Sequence, residues 1–148
     1  MPRLHHIGIT VSDTDTATTF YAAATGGEVI GPLAKSGPAV EAAVGHPGAE
    51  ILLTFVRLDD GVFLELAEYR GVPTPRNDPD TGRTGAAHPA IVVPDIDHSL
   101  ARLAELGHRP LSAPMTATAG PLEGYRYVYV LGPDDVRVEL LQEPHLAA

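Results

Sequence analysis

The chain has 148 residues, enough for one ordinary domain or two small halves sharing a core, and 44% of them are hydrophobic. A formal charge of −9 argues against nucleic acid and anionic membranes as partners. The absence of cysteine excludes disulfides and thiolate chemistry, so any metal is expected on nitrogen and oxygen donors.

The first predicted element is a strand, HIGITV from His6. Ile7, Ile9 and Val11 share one face; His6, Gly8 and Thr10 share the other. The start MPRLHHIGI lacks a basic segment followed by an apolar core, and no apolar run approaches the roughly 20 residues that span a bilayer. A cytoplasmic protein is expected. A helix follows in TDTATTFYAAATGG. Ser12 or Asp13 can cap it, Ala17, Phe20, Tyr21 and Ala24 fall on one face, and Gly26 or Gly27 can stop it. A weakly written strand covers residues 28–33. Residues 36–50, with their Pro and Gly, read as a lid or a wall. ILLTFVRL and VFLELAEY then form a hairpin across Asp59, Asp60 and Gly61. Residues 70–87, rich in Pro, Gly, Asp and Arg, read as a linker.

The pattern then repeats. HPAIVVPDID from His88 matches HIGITVSDTD from His6 in its His, Ile, Val and both Asp positions. DIDHSLARLAELGHRP predicts a helix capped by Asp95 or Asp97, with Leu100, Leu103 and Leu106 as its buried stripe and Gly107 as its end. A weak strand is expected at residues 109–113, and the loop at 112–124 is placed to close one side of a site. YRYVYVL meets VRVELLQ across Gly132, Pro133, Asp134 and Asp135. Each half reads as strand, helix and three strands. The chain is therefore a duplicated βαβββ module, with module one at about 1–69 and module two at 88–143 of a single domain over 1–148.

The closing strands repeat as well. Val62, Leu64 and Leu66 lie opposite Phe63, Glu65 and Ala67; Val136, Val138 and Leu140 lie opposite Arg137, Glu139 and Leu141. A carboxylate in the middle of an apolar strand is costly to desolvate without a partner. Alone, such a Glu ordinarily faces solvent, and a His at a strand start is ordinarily a surface residue. Their recurrence in register, His6 with Glu65 and His88 with Glu139, makes an N2O2 metal set. His5 has no counterpart, since Ala87 occupies its place. His46, His98, His108 and His145 read as loop, helix-surface or tail residues.

HHIGITV with FYAAATGG, FLELAEY, AAHPAIVVPDID and VRVELLQ together resemble the vicinal oxygen chelate superfamily over nearly the whole chain. That superfamily includes glyoxalase I, methylmalonyl-CoA epimerase, extradiol dioxygenases and the fosfomycin- and bleomycin-resistance proteins. The resemblance implies an α+β fold, two tandem βαβββ modules forming a cup-shaped, largely antiparallel sheet with helices outside. It implies that His6, Glu65, His88 and Glu139 hold one divalent ion, Ni, Co, Zn, Mn or Fe, a set closest to bacterial glyoxalase I. Glu65 stands where the epimerases typically carry Gln. Pro89 departs from the usual Ile or Val and removes a backbone donor.

The implied activity is that of an isomerase, epimerase or lyase on a small carbonyl compound with two neighbouring oxygens. The ion acts as Lewis acid, and Glu139 or Glu65, with Glu139 preferred, removes the α-proton. A homodimer is also implied, with the ligands drawn from one chain or from two. An extradiol-type dioxygenase is one alternative, disfavoured because Glu65 would fill a position that dioxygen chemistry needs. A metal-free, drug-sequestering protein is another, for which nothing requires a His and a Glu in both repeats. Arg57, Arg126 and Tyr127 are candidates to touch an anionic substrate. The plainer reading makes Tyr125, Tyr127 and Tyr129 an aromatic strand face and leaves the arginines solvated. No motif implies glutathione or coenzyme A.

Overall fold

The computed structural model describes residues 1–59 and 61–145. In chain order the elements are β1 (His6–Thr10), α1 (Thr14–Thr25), β2 (Glu28–Lys35), α2 (Pro38–Val44), β3 (Glu50–Arg57), β4 (Phe63–Arg70), β5 (Ala90–Val92), α3 (Ile96–Glu105), β6 (Met115–Thr116), β7 (Arg126–Leu131) and β8 (Arg137–Gln142). The strands form two four-stranded sheets, ordered β1-β4-β3-β2 and β5-β8-β7-β6. In each, the first strand runs parallel to the last and the remaining neighbours are antiparallel. The chain divides into two compact units, Met1–Ala22 with Gly26–Asn77, and Ala23–Thr25 with Asp78–Ala148. The α+β architecture of duplicated βαβββ modules is the one the sequence pattern implies.

In the first unit, alternation along β4 decides what is buried. Leu64 and Leu66 are fully buried, and so is Val56 of β3 opposite Leu64. Burying each such side chain contributes about 1.5–3 kcal/mol. The same face of β4 ends in Glu68, whose carboxylate accepts from the Thr14 backbone N–H at 3.0 Å and from its hydroxyl at 3.2 Å. That bond seats the start of α1 on the apolar face. Asp13 is the cap: its carboxylate accepts from Thr16 N–H at 2.6 Å. Gly26, at φ +73°, closes the helix in a left-handed conformation that suits glycine. Ala17, Phe20, Tyr21 and Ala24 are all buried, as their spacing predicts.

The second unit repeats the arrangement three residues beyond its own Glu. Gln142 of β8, on the Val138 and Leu140 face, accepts from the Ile96 N–H at 3.0 Å and so seats the start of α3. Asp95 caps α3 through His98 N–H at 3.0 Å. The buried stripe differs from expectation: it is Ile96, Ser99 and Leu103, while Leu100 is half-buried and Leu106 is 42% exposed. Regular helix ends at Glu105, so Leu106 leaves the stripe, and Gly107 follows at φ +84°. Ser99 is accommodated because its hydroxyl donates to a backbone carbonyl at 2.9 Å.

Other boundaries also need correction. Residues 36–50 hold α2, with Pro38 in its first turn and Gly45 as a left-handed cap. Val40 and Val44 pack on Ile51, Leu53 and Ala67. Those three share the face of Glu65, so α2 covers part of that face rather than the outer one. The strand expected at 109–113 is reduced to one bridge, Pro110 to Val130, and two-residue β6 lies further on. Pro110 and Pro114 lack the N–H a continuous strand needs. The linker starts one residue late, because Arg70 ends β4. The first hairpin forms as expected, with Gly61 at φ +80°, although Asp60 lies outside the described residues. No helix among the described residues is long and apolar enough to cross a membrane.

Candidate functional site

Parallel pairing of first and last strands sets the candidate donors on the face away from α1 and α3. In the first unit Gly8 lies opposite Glu65, and His6 lies opposite Phe63, two residues back. In the second unit Ala90 lies opposite Glu139, and His88 stands two residues before Ala90. Both units thus present one imidazole and one carboxylate on one face at the same register. A small residue lies across from each carboxylate. A Cβ built on Gly8 would come within 3.7 Å of Glu65 Oε1, so the carboxylate extends over β1.

The two pairs are held differently. His88 Nε2 is 3.2 Å from Glu139 Oε2 and also 3.2 Å from the Tyr129 hydroxyl. Tyr129 sits opposite Glu139 on β7, with its ring edge-on to His88 at 5.2 Å. Burial first, then the Glu139 charge and its hydrogen bond, push the Tyr129 hydroxyl above its ordinary value. It therefore stays protonated near neutrality and available as a donor. The position opposite Glu65 is Phe55, which has no hydroxyl. His6 is exposed, and its Nδ1 is 2.9 Å from Nδ1 of His5. No hydrogen bond or ion pair reaches the Glu65 carboxylate among the described residues. His88 and Glu139 are therefore in contact, whereas His6 and Glu65 share a face and a register. Among the described residues no three His, Asp or Glu side chains form a ready cation cluster.

A divalent cation is what the family resemblance implies, and these residues suit one. Each unit offers an imidazole nitrogen and a carboxylate oxygen on one face, donors that borderline and hard divalent ions accept. The 3.2 Å His88–Glu139 contact already brings one such pair together.

The arginines and the remaining histidines are placed as follows. Arg126 lies on the helix side of β7, where it grips Asp97 through both terminal nitrogens at 2.9 and 3.2 Å and also donates to Gln142. It is therefore not a substrate contact on the His88 face. Arg57 pairs with Glu28 at 3.1 Å and lies over the Phe63 ring, on the Glu65 face. Tyr127 shares the Glu139 face through its pairing with Leu141. His46 packs edge-on against Tyr69, His108 lies against the Leu131 carbonyl, and His145 against Gln142. The sequence reading passed over the role of Tyr129. Counting back across the β7–β8 turn would have placed it opposite Glu139. It also left Arg137 without a role, although its parity with Glu139 was legible.

Comparison with known proteins places the family and the fold. A family profile described as the glyoxalase/bleomycin resistance protein/dioxygenase superfamily matches residues 5–129. A 2-epi-5-epi-valiolone epimerase from Actinomyces sp. is 32% identical over 150 aligned positions, covering 95% of this chain and 79% of that protein. A glyoxalase family protein from Bacillus cereus superposes with a TM-score of 0.79 at 21% identity, covering 97% of this chain and 95% of that one. A glyoxalase I variant from Zea mays gives a TM-score of 0.65 at 18% identity, covering 96% of this chain and 46% of that one. At these identities the two structures speak for the fold alone. With the fold, the duplicated strand register and the family profile in agreement, the chain belongs to the glyoxalase/bleomycin resistance protein/dioxygenase superfamily.

Proposed function

We propose that the protein is a divalent-metal-dependent isomerase, epimerase or lyase that enolises a small carbonyl compound. The observation that carries this reading is the recurrence of a His–Glu pair at one register on one face of both sheets. A sequestering protein has no need of that recurrence. His6, Glu65, His88 and Glu139 would hold the ion. When bound, a divalent cation there supplies Lewis-acid polarisation of the substrate carbonyl.

The residues themselves do the rest. A carboxylate removes the proton from the carbon next to the carbonyl, and the substrate becomes an enolate or enediolate. Returning the proton to the opposite face epimerises; returning it to the neighbouring carbon isomerises. The sequence preference for Glu139 as base reverses here. Glu139 is held by His88, which Tyr129 contacts in turn, and this suits a fixed donor. Glu65 extends over Gly8 with no such tether, which suits a group that must move to take a proton. The 32% identical relative is named an epimerase, which supports epimerisation as the outcome.

The test is solvent deuterium exchange at the α-carbon of a panel of small carbonyl compounds, with each candidate metal added. Metal-dependent exchange that is lost in Glu65→Gln, with metal content retained, is the expected result. A chain that takes up no metal and exchanges no proton overturns the reading. Exchange lost in Glu139→Gln but intact in Glu65→Gln returns the base to Glu139.

A further inference from the structure

The Glu139 face of the second unit carries a cation that its duplicate lacks. Arg137 lies two residues before Glu139 on β8, hence on the same face. With Ala90 opposite Glu139, the parallel register brings His88 level with Arg137. The matching position on β4 is Phe63, level with His6. Duplication alone therefore does not account for the guanidinium. Its side chain is only 19% exposed. A cation so placed needs a partner, because desolvating it uncompensated is costly.

The partner it has is a loose one. Arg137 Nη2 donates to Asp80 Oδ2 at 3.1 Å, its one polar side-chain contact among the described residues. A guanidinium offers five N–H donors in a planar fork that matches a carboxylate bidentately. One contact leaves most of that fork unused. Arg126 is the contrast, gripped by both oxygens of Asp97 and by Gln142. Asp80 is half-exposed and belongs to the segment ahead of β5, where it also accepts from Gly82 N–H at 2.8 Å. So a mostly buried cation beside the candidate donors is covered by a single carboxylate oxygen from outside the sheet.

We infer that Arg137 anchors the carboxylate of the substrate, a small carbonyl acid, and that Asp80 occupies the carboxylate's place until it arrives. The inference deepens the proposed function by naming the substrate class of the same site. Exchanging one carboxylate for another keeps the guanidinium paired throughout, so no bare buried charge appears on the way. An anion approaching a chain of charge −9 needs a local cation to hold it, and on this face Arg137 is adjacent to His88. No covalent bond forms or breaks in the exchange.

Calorimetry on the full chain, with and without added divalent metal, tests this with pyruvate, neutral hydroxyacetone and inorganic phosphate as probes. Pyruvate binds at least about tenfold more tightly than hydroxyacetone, the size expected of one charge-assisted contact. Arg137→Gln removes that preference and leaves hydroxyacetone unchanged. Asp80→Asn removes the competitor and tightens pyruvate by about tenfold. If Arg137→Gln does not fold, Arg137→Lys keeps the charge without the fork and weakens pyruvate by a similar factor. Pyruvate binding indifferent to both arginine variants overturns the inference. So does an Asp80→Asn protein that melts earlier but binds pyruvate as before, since Asp80 would then be a fastening alone. Phosphate bound more tightly than pyruvate overturns the carboxylate assignment. The readout is binding, not turnover. Failed proton exchange with intact Arg137-dependent binding therefore sinks the enolising function alone, and intact exchange with Arg137-independent binding sinks this inference alone.

Discussion

Gly8 illustrates how much of the site rests on a missing side chain. It lies opposite Glu65 where the second unit has Ala90 opposite Glu139. A Cβ at Gly8 would meet Glu65 Oε1 at 3.7 Å, ordinary contact rather than a clash. Gly8→Ala should therefore fold with equal or slightly higher stability, by up to about 1 kcal/mol, since Ala loses less backbone freedom than Gly. Gly8→Leu has branches where the carboxylate lies and must push it away. The expected outcome is an unchanged melting temperature with cation affinity at least about tenfold weaker, because one ligand's contribution exceeds a single hydrogen bond. Titration of a colorimetric metal chelator against each variant reads this directly. Equal affinity in Gly8→Leu and wild type would remove Glu65 from the donor set. The same scale explains why Tyr129 escaped the sequence reading. As one of three alternating tyrosines it reads as a plain aromatic stripe, and only its pairing with Glu139 distinguishes it.

At the scale of elements, each helix is tied to the strand that carries the carboxylate, three residues beyond it. The Glu68 carboxylate sits below its ordinary value, first because Thr14 N–H donates to it, then because of the Arg70 hydrogen bond. A group whose folded-state pKa is depressed stabilises the fold above its unfolded-state value, and that stability is lost as pH falls through the folded value. Glu68→Gln should thus cost about 1.5–3 kcal/mol at pH 7, the range for hydrogen bonds to a charged group. The gap between variant and wild type should begin to narrow below about pH 4, near the ordinary Glu value, and close only below the depressed folded value. Urea denaturation at pH 7 and pH 3 follows the change, and a gap as wide at pH 3 as at pH 7 refutes the assignment.

Much at this scale was legible in sequence. Strand parity set Leu64 with Leu66 and Val138 with Leu140 on common faces, which are buried, and residue type offered Ser12 or Asp13 and Asp95 or Asp97 as caps, of which Asp13 and Asp95 serve. What was missed has physical causes. In α2, two apolar contacts in a short Ala-rich stretch make a weak periodicity, although Pro38 at its start and Gly45 at its end were usable signals. In α3 the leucine spacing predicts Leu100 and Leu106 in the stripe, whereas Ile96 and Ser99 occupy it with Leu103. Ser99 carries no hydrophobic signal, so only its hydrogen bond explains it.

For the whole molecule, the proposed cation site would link binding to folding. A ligand that binds the native state alone stabilises it by about 2.7 kcal/mol at a hundredfold excess over its Kd. For a chain of this length that corresponds to a rise of roughly 5 °C or more in Tm. Adding the preferred metal should produce such a rise in wild type and none in the Glu65→Ala, Glu139→Ala double variant, measured by differential scanning calorimetry. An equal rise in both would place the ion elsewhere on the acidic surface. Glu65 and Glu68 point to opposite faces of β4, so a slip by one residue against β1 would turn the donor away from His6 and unfasten the helix start in the same movement. A cation at the proposed site would then be refused by any misaligned chain, so that loading with metal would proofread the alignment of the strands.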